Sequence, residues 1–73
     1  GIMKVGSLVR IDPLCPISIE LEKVHRIEYE RELKWIGIVV EISSSIENLY
    51  SIQWAHMLYS TSEYGDYLEV LCE

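Results

Sequence analysis

Ile36, Ile38, Val40 and Ile42 alternate with Trp35, Gly37, Val39 and Glu41 across residues 35–43. That period of two sends successive side chains to opposite faces of a strand. It marks the clearest strand in the chain, and the branched set is expected to face the core. Gly37 signals a bend or the close approach of another backbone. Residues 49–54 repeat the alternation, with Tyr50, Ile52 and Trp54 against Ser51 and Gln53, a strand with one buried and one wet face. Leu8–Ile11 is a short β run after the Gly6-Ser7 turn signal. Asp12-Pro13 ends it, because proline cannot donate to a ladder and restricts its predecessor. With Pro16 close behind, residues 12–16 read as loop. Ser43–Ser45 and Glu47-Asn48 mark a turn. Met57–Ser60 reads as a fourth short strand, Thr61–Asp66 as a turn or single 3₁₀ turn, and Tyr67–Cys72 as a last strand with Leu68 and Val70 inward.

Residues 17–34 fit two descriptions. Ile17, Ile19 and Leu21 alternate with Ser18, Glu20 and Glu22, as in an extended chain. Leu21, Val24 and Ile27 also fit helical spacing, Glu22/Arg26 and Glu30/Lys34 stand acid-first at i, i+4, and Ser18 suits a cap. The β context around the segment favours a long two-limbed loop, with a helix as the alternative.

A chain of 73 residues holds one domain, here residues 1–73. At that size folding buries roughly 60% of the unfolded surface, which leaves no room for a large internal cavity. Hydrophobic residues make up 49% and charged residues 25%, a globular composition. Five short twisted strands protect their edges by curling into a partly closed barrel. The expected fold is therefore all-β, a partly open five-stranded barrel with a long loop over 12–34 after the first strand. Its inward set is expected to be Val9, Ile11, Ile36, Ile38, Val40, Ile52, Trp54, Leu68 and Val70.

Twelve acidic against six basic residues give a net charge of −6. Binding to nucleic acid rests on Lys and Arg neutralising phosphates, and anionic membranes attract the same groups. Lys4, Arg10, Lys23, Arg26, Arg31 and Lys34 are scattered, and Glu20, Glu22, Glu28, Glu30 and Glu32 surround the densest run. Both partner classes are disfavoured. Cys15 and Cys72 form no C-x-x-C, and His25 and His56 stand alone, so no metal site is expected. Two reduced thiols fit a cytoplasmic protein. The first residues carry no apolar core of a signal peptide, and the longest apolar run, Trp35–Val40, falls far short of the ~20 residues that span a bilayer.

The order of elements resembles the SH3-like small barrels. Val5-Gly6-Ser7-Leu8-Val9-Arg10-Ile11 looks like their first strand, and the long loop takes the place of the RT loop. Gly37–Ile42 followed by Tyr50–Trp54 looks like the central hairpin. Ser62-Glu63-Tyr64 before Leu68–Leu71 looks like the 3₁₀ turn and final strand. The pattern is also similar to small uncharacterised proteins of tailed phages, including those of marine cyanobacteria, which implies a viral or virus-derived source and, with it, a host-cell or virion location. SH3 domains that bind proline-rich peptides carry several RT-loop aromatics, paired tryptophans and a proline before the 3₁₀ tyrosine. Here the loop has only Tyr29, Trp35 stands alone, and no proline precedes Tyr64. The resemblance implies the fold rather than that ligand.

No P-loop, G-x-S-x-G or H-E-x-x-H is present. Glu28, Glu30 and Glu32 share a face if extended, but Arg26, Arg31 and Lys34 interleave them as on a solvated surface. Neither catalytic residues nor cofactors are expected. The aromatic set has five Tyr, two Trp and no Phe. Such side chains join an apolar body to a polar tip and suit binding surfaces. Tyr50 and Trp54 are expected in the core, and Trp35, Tyr59, Tyr64 and Tyr67 form the candidate binding patch. The expected function is a non-catalytic protein-interaction or accessory module, with an unknown protein or a second copy as partner. The alternative is a nucleic-acid-associated SH3-like module of the transcription or translation kind.

Overall fold

The computed structural model describes residues 3–15 and 34–73. The two readings of residues 17–34, and with them Tyr29, His25 and the Glu28–Glu32 run, lie almost wholly outside the described residues. The elements are β1 (Leu8–Ile11), β2 (Gly37–Ile42), β3 (Leu49–Trp54), β4 (Thr61–Tyr64), a 3₁₀ turn (Gly65–Tyr67) and β5 (Leu68–Cys72). All pairings are antiparallel, and one sheet runs in the order β4-β3-β2-β1-β5. The all-β expectation holds. The fourth strand is displaced from its expected place: Thr61–Tyr64 pairs with β3, and Met57–Ser60 belongs to the connection before it. Gln53 explains the shift. Its Nε2 donates to the carbonyls of Trp54 (3.1 Å) and Met57 (2.7 Å), which holds residues 54–57 in a turn and delays the next strand.

Val9, Val39, Ile52, Trp54 and Leu68 form the buried core, with Met3, Ile11, Trp35, Tyr50, Met57 and Val70 packed against it. Ile36, Ile38 and Val40 are not part of it. They stand 40%, 45% and 46% exposed, and the opposite face of β2 is the buried one. The register gives the reason. Gly37 lies opposite Trp54 and Val39 opposite Ile52. A Cβ on Gly37 would stand 2.5 Å from Ile52 Cγ2 and 2.8 Å from Trp54 Cε3. The indole fills the space that a side chain at position 37 would need, so the face carrying glycine is the one turned to the large aromatic.

A β-bulge then breaks the alternation. The register shifts between Val39 and Glu41, so that Glu41 opposes Ser51 and Ile42 opposes Tyr50. One extra residue in β2 changes the phase of everything after it. Ile42 thus returns to the side of Tyr50, at the end of the sheet, and is 44% exposed.

Two turns fasten the first strand. Asp12 caps the Asp12–Cys15 turn: its Oδ1 accepts from Leu14 N–H at 2.9 Å and its carbonyl from Cys15 N–H at 3.1 Å. Pro13 takes the second position, where its fixed φ fits. Asp12 N–H also donates to the Tyr67 carbonyl at 2.8 Å, tying β1 to the 3₁₀ turn. At the other end, Ser7 N–H closes a turn on the Lys4 carbonyl at 2.9 Å, with Gly6 at φ +95°. Cys15 is buried and Cys72 is a free, exposed thiol at the end of β5.

Candidate functional site

Trp54 organises one end of the sheet. It is 1% exposed, so its indole N–H needs a partner inside the protein. Thr61 supplies it: the indole donates to Oγ1 at 2.8 Å, and that hydroxyl donates to Glu63 Oε2 at 2.8 Å. With Trp54 fixed, Trp35 packs on it with ring centroids 5.7 Å apart, and His56 packs on Trp35 at 4.5 Å, tilted by 43°. The carbonyl of Ile36 accepts from Ala55 N–H at 2.9 Å, which fixes the entry to β2 against the exit from β3. Between them lies an open cavity of about 500 Å³ lined by Lys34, Trp35, Ile36, Ala55 and His56. A second cavity of about 440 Å³ shares Ile36 and Ala55 and continues past Leu8, Ile38, Gln53 and Met57. Gly37 and Trp54 also line the second cavity, so it runs along the edge where Leu8 and Ile38 meet the turn after β3.

The outward face of β2 is apolar because β1 and β2 match there. Leu8 lies opposite Ile38, while Val9 and Gly37 point to the core. Further along, the outward face turns polar. Arg10 lies opposite Glu69, and its guanidinium meets the carboxylate, Nε to Oε2 at 2.9 Å and Nη2 to Oε2 at 2.8 Å.

The four candidate aromatics do not form one surface. Trp35 belongs to the Trp54–His56 group. Tyr64 and Tyr67 meet edge to face at 6.4 Å beside the 3₁₀ turn, where Asn48 Nδ2 donates to Asp66 Oδ1 at 3.1 Å. Tyr59 stands alone in the β3–β4 connection, 71% exposed. Among the described residues no ring contact joins the tyrosine pair to the tryptophan group. Sequence reasoning missed Ile36, Ile38 and Val40 as surface residues and His56 as a ring partner. The available signal was Gly37 itself, which is the side of the strand that admits a large neighbour.

Lys4, Arg10 and Lys34 are the basic side chains among the described residues, and Arg10 is engaged by Glu69. Within the same residues no group of three His, Cys, Asp or Glu is placed to hold a metal ion, and no helix is long and apolar enough to cross a membrane. No family model matches the chain, and neither does any curated protein or solved structure.

Proposed function

We propose that the protein is a small non-catalytic interaction module of SH3-like architecture, and that it binds a protein partner through the outward face of β2. The strand order β4-β3-β2-β1-β5, with a 3₁₀ turn leading into the last strand, supports the SH3-like assignment. The observation that carries the function is the orientation of Ile36, Ile38 and Val40. These branched side chains are left 40–46% exposed, and Ile36 and Ile38 line a cavity together with Leu8, in a chain of net charge −6. Scattered exposed apolar residues are ordinary, whereas a contiguous apolar strip rimmed by polar groups marks an interface.

The test is site-specific photo-crosslinking from position 38, compared with position 58. Leu58 is fully exposed and isolated in the β3–β4 connection, so it controls for general stickiness. The reading expects a discrete adduct from position 38 and not from 58, and loss of that adduct when Val40 is changed to Glu. An adduct with a second copy names self-association, and one with another chain names a foreign partner. Equal yields from both positions, or an adduct that survives Val40→Glu, would overturn it.

A further inference from the structure

We propose that the cavity between the entry to β2 and the exit from β3 binds an aromatic carboxylate, its ring against Trp35, Ile36, Ala55 and His56 and its acid group at Lys34. This site shares Ile36 with the face proposed to dock a protein, but it rests on Lys34, Trp35, Ala55 and His56, and its test reads those residues and not Ile38 or Val40.

Three observations carry the assignment. First, the walls are built before any ligand arrives. Trp35 rests on the buried Trp54 at 5.7 Å, His56 rests on Trp35 at 4.5 Å, and the Ala55–Ile36 hydrogen bond of 2.9 Å sets the spacing between them. A preformed wall saves the ordering cost that weakens binding to mobile surfaces. Second, the cavity has the dimensions and chemistry of a small-molecule site. At about 500 Å³ it falls within the usual range, and its lining is aromatic and apolar with few polar groups. Indole and imidazole faces favour a planar ring in offset or edge-to-face contact.

Third, among the described residues the charge at the cavity is positive. The protein carries −6, yet the described lining contains Lys34 and no carboxylate. A cationic ligand would be drawn to the protein but would meet the ammonium at this cavity. A polyanion would be repelled by the chain as a whole. A single carboxylate on an apolar ring satisfies both constraints, since its charge is met locally and its body is buried. The adjoining cavity past Leu8, Ile38 and Met57 leaves room for whatever is attached to the ring.

The same chemistry comes from a free aromatic acid or from a peptide ending in an aromatic residue. Titrations with 3-phenylpropionate, with N-acetyl-Ala-Ala-Phe and with the C-terminal amide of that peptide separate the sources, followed by NMR shifts of the Trp35 indole, Ala55 and His56. The proposal expects these signals to move with at least one of the two acids while those of Tyr64 and Tyr67 stay still. The amide should bind at least fivefold more weakly than its acid, and the tighter acid names the source. Lys34→Glu should weaken the acid about fivefold or more without unfolding the protein, because Lys34 is exposed. Ala55→Phe, at another exposed position, should fill the cavity and abolish binding. Shifts that ignore the amide substitution or Lys34→Glu, or no shifts with either acid, would overturn the assignment.

Discussion

The two faces of β2 are both apolar, yet one is core and the other is surface. Gly37 and Val39 point inward and meet Trp54 and Ile52; Ile38, and Ile36 just ahead of the strand, are larger and more hydrophobic yet point outward. Hydrophobicity alone ranks these faces the wrong way round. What decides between them is volume across the sheet. Trp54 leaves no room at position 37 for a side chain, so the phase of the strand is set by its neighbour, and the surplus apolar face is left at the surface.

The largest expected effect compares one residue from each face. Ile52→Ala removes a fully buried side chain from the centre of the core and should cost about 2–5 kcal/mol. Ile38→Ala should cost under about 1 kcal/mol, because that side chain already touches water. Urea denaturation of the two variants checks the pair. Equal losses would mean that the outward face is buried in the native protein, by itself or by a second copy, and a concentration dependence of the Ile38→Ala midpoint would single out the copy.

An intermediate effect tests the reason for the phase. Gly37→Ala places a methyl 2.5 Å from Ile52 Cγ2 and 2.8 Å from the Trp54 ring, closer than packed carbons approach. Overpacking of this kind should cost about 1–3 kcal/mol. The companion change Ile52→Ala removes Cγ2 and so makes room at the contact, and the double variant should lose less than the sum of the single losses. Thermal melts of the four proteins give the coupling. Additive losses would mean that Gly37 is needed for its backbone and not for the space.

How much of this was legible in the sequence depends on whether a residue's fate is set locally. β1 ended at Asp12-Pro13 as expected, because the turn uses groups only a few residues apart. Ile52 and Trp54 were legible as core because Ser51 and Gln53 between them are polar, so the alternation has one solution. In β2 both faces are apolar and alternation has two. The choice rests on Trp54, distant in sequence, and the bulge at Val40 then resets the phase by one residue, which no period can foresee. β4 was misplaced because the Gln53 side chain, and not the composition of residues 57–60, holds the preceding turn. The aromatic patch divided for a similar reason: Tyr64 and Tyr67 are neighbours through the 3₁₀ turn, whereas Trp35 is placed by its stacking on Trp54 and His56.

The smallest expected effect separates the two neighbourhoods of the outward face. Beyond the apolar strip, Arg10 and Glu69 face each other across β1 and β5, with side chains 37% and 43% exposed. The guanidinium reaches one carboxylate oxygen through two nitrogens, at 2.9 and 2.8 Å, so the geometry is good although water screens the charges. Partly exposed pairs of this kind contribute about 0–1 kcal/mol. A double-mutant cycle on Arg10→Ala and Glu69→Ala should give a coupling in that range, falling as salt is raised toward 1 M, where the Debye length shrinks to about 3 Å. The same salt should leave the Gly37–Ile52 coupling unchanged, since no charge takes part in it. A cross-strand coupling that resists salt would mean that Arg10 acts through the packing of its aliphatic stem over the sheet, as long cationic side chains can, and the outward face would then be held by apolar contact along its whole width.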